Sequence, residues 1–254
     1  MVQLTSEVHG DNGTPLVIAH GLYGSARNWR VIAKRLSDRR RVIAVDMRNH
    51  GDSPHADSQT YADMAGDLAE TIEDIGGPVD LLGHSMGGKA AMVLALTRPD
   101  LISRLIVADI APVTYAHTQM PMITAMQGLD LNGLTSRGVA DKRLAQSIDD
   151  PAIRAFLLQS LELRADPPRW KLNLDVLAAF MPDIIGFPPL DGVFEKPTLF
   201  LTGLASDYVT EAHRPEILRL FPGAQHRGIP GAGHWLHAEK PREFEAEVRR
   251  FLDP

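Results

Sequence analysis

The stretch Val79-Asp80-Leu81-Leu82-Gly83-His84-Ser85-Met86-Gly87-Gly88 sets a serine between two evenly spaced glycines. An apolar run enters it and a helical pattern leaves it, the strand–turn–helix setting in which Gly-x-Ser-x-Gly presents a nucleophile. The glycines relieve crowding, so Ser85 can take a strained backbone turn with its hydroxyl held above a sheet edge, at the positive end of the following helix. A serine hydroxyl is a weak nucleophile on its own, so this chemistry requires a base and a group to orient that base. Among ten histidines, His234 is the best placed. It sits in Gly231-Ala232-Gly233-His234-Trp235, a glycine-rich loop between the last expected strand and the last helix. His237 and Glu239 extend this to a loose His-x-x-His-x-Glu grouping. Pro241 marks a helix start there, and the spacing does not put the ligands on one helical face, so no metal is expected.

Two carboxylates compete to orient the base. Asp109 closes the apolar run Leu105–Ala108 and is followed by Ile110-Ala111-Pro112. A carboxylate in such surroundings needs a partner, and a histidine N–H is a suitable one. Asp207 ends Gly203-Leu204-Ala205-Ser206-Asp207, on the turn after the next long apolar run. The acid serving such a serine commonly stands three residues after that glycine; here that residue is Ser206, and Asp207 is one step out of phase. Asp109 is therefore favoured, with Asp207 as the alternative, and either keeps the chain order serine, acid, histidine. Stabilising an oxyanion requires two donors. One is the backbone N–H of Met86. The other is assigned to Leu22, in His20-Gly21-Leu22-Tyr23-Gly24-Ser25, where Gly21 permits a close turn and His20 braces the loop. Tyr23 and Trp235, beside these elements, are candidates for the substrate pocket. Asp46, Arg48 and Asn49 are expected to order loops around the site.

The elements that must position these groups follow from apolar patterning. Leu16–Ala19, Val42–Val45, Val79–Leu82, Leu105–Ala108 and Thr198–Leu201 are short and continuously apolar, as strands buried on both faces should be. A weaker strand begins near Arg227, and Val2 to Val8 suits an edge strand. Tyr61, Met64, Ala65, Leu68, Ile72 and Ile75 recur at helical spacing, with Asp63, Asp67, Glu70, Glu73 and Asp74 turned outward. Thr60 caps that helix and Gly76-Gly77 ends it. Met86–Thr97, halted by Pro99, and Glu239–Leu252, with Pro241 in its first turn, are further helices. Alternation of strands and helices predicts an α/β fold with a mostly parallel sheet. The pattern breaks between Pro112 and about Leu190, where Val139–Ile148 and Ile153–Leu163 read as helices and no strand is evident. Residues 1–111 and 191–254 then form a core domain and 112–190 a helical cap. Phe156, Leu157, Leu161, Trp170, Leu174, Leu177, Phe180 and Met181 would build that cap, more as its own core than as substrate wall.

Composition narrows the function further. The 254 residues suit one α/β domain. Acidic side chains outnumber basic ones by 32 to 26, for a net charge of −6. A duplex-binding protein needs a basic stripe, and the densest cluster, Arg39-Arg40-Arg41, reads as the solvated start of a strand. Cysteine is absent, which excludes disulfides, thiolate-bound metals and a thiol nucleophile. The first residues lack the layout of a signal peptide, and no uncharged apolar segment approaches the ~20 residues needed to cross a bilayer. The expectation is a cytoplasmic protein with no cofactor, no nucleic-acid or membrane partner, and a small molecule as substrate. Nothing in the composition sets the oligomeric state.

Taken together, HGLYGSARNW (within Val17–Trp29), DMRNHGDSP (Asp46–Pro54), GHSMGGKAA (Gly83–Ala91), ADIAPV (Ala108–Val113) and GAGHWLHAEKP (Gly231–Pro241) resemble the α/β-hydrolase superfamily, and within it the YbfF-type bacterial esterases. The likeness spans nearly the whole chain and is weaker in the insertion after Pro112. It implies the α/β-hydrolase fold with a helical cap inserted after the sixth strand. It also implies a carboxylic ester hydrolase working through Ser85, His234 and an acid at the Asp109 position, with Ser206 as an auxiliary hydrogen-bonding group. The substrate would be a short- to medium-chain ester. A thioesterase, C–C hydrolase or perhydrolase with the same three residues remains an alternative, as does, more remotely, a small-ligand receptor without turnover. Haloalkane dehalogenases and epoxide hydrolases are disfavoured, since they use an aspartate where this chain has Ser85.

Overall fold

Runs of Val, Ile and Leu without polar alternation bury both faces of a strand, and such strands assemble into a sheet covered by helices on each side. In a computed structural model, which describes residues 1–253, the chain runs β1 (Ser6–His9), β2 (Leu16–Ala19), α1 (Arg30–Leu36), β3 (Val42–Val45), α2 (Tyr61–Ile75), β4 (Val79–His84), α3 (Met86–Thr97) and β5 (Ile102–Ala108). An insertion follows, with α4 (Met120–Gln127), α5 (Arg137–Leu144), α6 (Pro151–Leu157), β6 (Leu161–Glu162), β7 (Arg169–Trp170), α7 (Leu174–Ala179) and α8 (Met181–Ile185). The chain then returns to the sheet through β8 (Thr198–Gly203), α9 (Arg214–Leu220), β9 (Ala224–Ile229), α10 (Leu236–Glu239) and α11 (Pro241–Leu252).

Seven strands form the central sheet in the order β1-β3-β2-β4-β5-β8-β9. Only β1 is antiparallel to its neighbour, β3; the other pairs are parallel. Apolar side chains cover both faces. One core gathers α2, α3 and the insertion, and the other gathers α1 and α11. Strands β4, β5, β8 and β9 are adjacent and parallel, so the loops after them converge on one edge.

Several expectations are corrected by the structure. The apolar runs coincide with β2 and β3, whereas β4 and β8 continue beyond their runs and β5 begins before its run. The N-terminal edge strand is Ser6–His9, because Val2 instead donates its N–H to Asp67 Oδ1 at 2.8 Å. The insertion leaves the sheet after β5, the fifth strand of this chain, one fewer than the resemblance implied. It also contains a strand pair, β6 with β7, too short for any alternation to register in the sequence. The expected terminal helix is divided at Lys240, which precedes Pro241 and leaves the helical region.

Two charged residues expected at the surface are buried. Asp67 points inward from α2 and receives Arg48 Nε at 2.6 Å and Nη2 at 2.8 Å. Arg40 is 5% exposed and donates to the buried Asp80 at 3.0 Å, which also binds Arg104. Both carboxylates face a guanidinium, the arrangement a buried charge requires. Among the described residues, no helix is long and apolar enough to cross a membrane.

Candidate active site

β4 delivers the chain to Ser85, which takes φ 51° and ψ −119° between the strand and α3. The strain is sustained because the turn is fixed on both sides. The Ser85 N–H donates to Ala108 O at 3.0 Å, and the Ser85 carbonyl accepts from Lys89 N at 3.0 Å. A methyl group on Gly83 would overlap the carbonyl oxygen of Gly87, so the turn closes only with glycine there. The same crowding brings the β2 loop close. A Cβ on Gly21 would stand 3.0 Å from Ser85 Cβ and 2.8 Å from His84 Nδ1.

The loop after β9 carries His234 to the same edge. Ser85 Oγ lies 3.0 Å from His234 Nε2 and can donate to it, while His234 Nδ1–H donates to Asp109 Oδ2 at 2.8 Å. Asp109 follows β5 directly, is fully buried and adopts φ 50°. Its remaining acceptor sites are filled by Gly203 N–H at 3.0 Å and Ser206 Oγ at 2.5 Å. Asp207 is exposed and makes none of these contacts. Three further groups hold the imidazole. His84 Nε2–H donates to the His234 carbonyl at 2.8 Å. Glu239 accepts from the amides flanking His234, those of Gly233 at 2.7 Å and Trp235 at 3.2 Å. Tyr208 stacks on the ring, with centroids 3.8 Å apart and planes inclined by 17°.

Met86 opens α3, so its N–H has no intrahelical acceptor. That N–H and the Leu22 loop border a cavity of about 390 Å³ shared with Ser85 and His234. Tyr23 and Trp235 both line it, together with Tyr61 and Lys89 from the core and Tyr115 just after β5. The insertion supplies Met122, Ile153, Phe156, Leu157, Ile184 and Ile185 to the wall. Leu161, Leu174, Leu177 and Met181 are buried in the apolar cluster that the insertion shares with α2 and α3. Trp235 meets Phe156 with ring centroids 5.1 Å apart. The Tyr23 hydroxyl donates to Gln119 O at 2.9 Å, tying the β2 loop to the insertion.

Burial keeps the surrounding histidines neutral. Desolvation lowers His20 to about 4 and His50 and His237 to about 3, and pushes His84 well below its ordinary value. His20 acts as a brace, with Nδ1–H donating to Gly21 O at 2.8 Å and Nε2 accepting from Met47 N at 2.9 Å. Asp46 accepts from the amides of Ala26 and Asp52, and Asn49 accepts from Ala56 N, so both order loops. His237 stacks on Trp29 at 4.1 Å, while Glu239 is occupied by backbone amides. The His-x-x-His-x-Glu grouping is therefore used for packing and loop bracing.

Sequence reasoning did not single out Lys89, His84, Tyr208 or the bracing role of Glu239. Lys89 had a readable signal: it is a lone charge in an apolar helix, one turn beyond Ser85. Tyr208 had none, because its contact with His234 depends on how two loops fold over the sheet edge.

Known proteins share this architecture. Residues 16–247 match the alpha/beta hydrolase family. The chain is 43% identical over 264 residues to a zebrafish (Danio rerio) protein named sn-1-specific diacylglycerol lipase ABHD11, covering all of this chain and 83% of that one. It is 37% identical over 246 residues to Esterase YbfF of Escherichia coli, covering 95% and 94% of the two chains. A solved structure described as a marine microorganism esterase superposes with a TM-score of 0.95 at 41% identity, over 99% of this chain and 100% of that one. The chain therefore belongs to the alpha/beta hydrolase family and is a hydrolase.

Proposed function

We propose that the chain hydrolyses carboxylic esters of short to medium acyl length, with Ser85 as nucleophile, His234 as base and Asp109 as the acid that orients it. The pair of contacts from Ser85 Oγ to His234 and from His234 to Asp109, at 3.0 and 2.8 Å, carries this reading. Ser85 Oγ attacks the ester carbonyl carbon as its proton passes to His234 Nε2. The amides of Leu22 and Met86 receive the negative charge that develops on the carbonyl oxygen. Collapse expels the alcohol, which takes the proton from Nε2, and leaves an acyl group on Ser85. Water, deprotonated by His234, attacks that acyl group in turn, releasing the acid and restoring the serine. Asp109 stays ionised throughout and stabilises the imidazolium.

The names of the relatives, a diacylglycerol lipase and esterases, support ester hydrolysis. The cavity, mostly apolar at its walls, supports acyl chains of modest length, and residues 112–190 act as the cap over the core formed by 1–111 and 191–254. Ser85→Ala tests the assignment on a chromogenic butyrate ester. Turnover is expected to fall by about 10⁴-fold or more with the fold intact; retention of more than a few per cent would contradict it. Including thioesters and a range of acyl lengths in the same assay separates an esterase from a thioesterase.

A further inference from the structure

Lys89 lies four residues beyond Ser85 in α3, on the same helical face and about 6 Å further along the axis. It is 1% exposed, yet it borders the cavity. Its Nζ donates to the carbonyls of Ile185, at 2.9 Å, and Gly186, at the end of α8. Those contacts use two of the three ammonium hydrogens. Among the described residues, no carboxylate lies within ion-pair reach of Nζ. The faces of Tyr115 and Tyr61 lie 4.7 and 5.8 Å from it. Both hydroxyls are committed elsewhere, Tyr61 to Ile184 O and Tyr115 to Tyr208 O. A cation with an unused donor therefore faces an apolar cavity without a counter-ion. Burial pulls its pKa down to about 7, and an anion beside it would restore the charge.

The direction of the cavity says which part of a substrate meets this lysine. Glu239, near His234, and His117 are exposed residues of the lining, Trp235 is half-buried, and Lys89 and Tyr61 are buried; the leaving alcohol is assigned to an exposed side. The buried end, with Lys89 and Tyr61, is left for the acyl chain. We propose that Lys89 binds a carboxylate at the far end of the acyl chain, so that the site prefers half-esters of short dicarboxylic acids to neutral acyl groups of the same shape. This inference rests on the ester-hydrolase reading above.

Para-nitrophenyl monoadipate and its neutral isostere, with an isopropyl group in place of the distal carboxylate, provide the test. The wild type is expected to show a kcat/KM for the monoadipate at least about tenfold above that for the isostere. Lys89→Met should lower kcat/KM for the monoadipate about tenfold or more while changing the isostere little. Equal loss on both esters would mean that Lys89 only anchors α8 and would overturn the proposal. Should Lys89→Met fail to fold, the wild-type comparison decides alone: preference for the isostere overturns the proposal. Hydrolysis of the isostere with no preference for the carboxylate defeats this inference but leaves the ester-hydrolase reading standing. Failure to turn over either ester overturns both.

Discussion

Asp109 and Asp207 carry the same carboxylate and differ only in setting, which makes them a direct contrast at the scale of single residues. Asp109 is buried against His234 Nδ1, whereas Asp207 is exposed. Asp109→Asn is expected to lower kcat by about 10³- to 10⁴-fold, because the amide favours the wrong tautomer of the imidazole. Asp207→Asn should change kcat less than about twofold, being a surface substitution without a partner. Steady-state kinetics of the two variants check this. Tyr208 offers a second contrast. Stacking at 3.8 Å limits rotation of the His234 ring and places a π face against the imidazolium that the proposed attack would form. Tyr208→Leu is expected to reduce kcat about tenfold with little change in KM, and Tyr208→Phe, which keeps the face, should restore most of it. Equal losses in the leucine and phenylalanine variants would assign the effect to the hydroxyl instead. The meeting of Ser85 with His234 was legible in the sequence because glycines punctuate both loops and their positions in the strand–helix alternation are fixed. The orientation of Asp109 was legible only as a favoured alternative, since two loops after adjacent strands each end in a carboxylate. Tyr208 was not legible, because its partner lies across the chain and no local pattern encodes that contact.

At the scale of elements, backbone clearance at the Ser85 turn and charge pairing under α2 are the decisive features. A Cβ at Gly83 would overlap the Gly87 carbonyl, while nothing lies within 4 Å of one at Gly77. Gly83→Ala is therefore expected to lower the melting temperature by about 10 °C or more, and Gly77→Ala to leave it nearly unchanged. Thermal unfolding followed by circular dichroism distinguishes them. Arg48 and Asp67 form a buried pair with side-chain exposures of 4% and 0%. Arg48→Met strands the carboxylate and should cost about 3–5 kcal/mol, read from urea unfolding. The positions of β2, β3, β4, β5 and β8 and the caps of α2 were legible because apolar runs and turn residues are local signals. Thr60 accepts from Asp63 N at 3.2 Å and Gly76 takes φ 96°, as their residue types suggest. The inward turn of Asp67 and the burial of Arg40 were not. Helical periodicity assigns a charge to the solvent face, and only a tertiary partner can reverse that assignment. β6 and β7 escaped for a different reason: two residues per strand carry no period.

The molecule as a whole buries several neutral histidines around one edge of the sheet, and this makes its stability depend on pH. His20, His50 and His237 have folded-state values of about 4, about 3 and about 3, below the ordinary histidine value near 6.5. His84 is displaced in the same direction. The unfolded chain therefore binds more protons than the folded one between these limits. The stabilisation is complete above the ordinary value and is lost as pH falls towards the folded values. His20, His50 and His237 each contribute a loss of about 1 kcal/mol per pH unit across that window. Urea unfolding at pH 7, 6 and 5 should show a steadily falling free energy with little change in slope; a constant value would contradict the buried neutral state.

The proposed ester hydrolysis depends above all on the reactivity of one hydroxyl. A fluorophosphonate probe followed by peptide mass spectrometry measures it directly. One adduct per chain is expected, on Ser85, and Asp109→Asn and His234→Ala should slow its formation by about 10³-fold or more. An adduct on any other residue, or labelling of Ser85 at an undiminished rate in His234→Ala, would contradict the account.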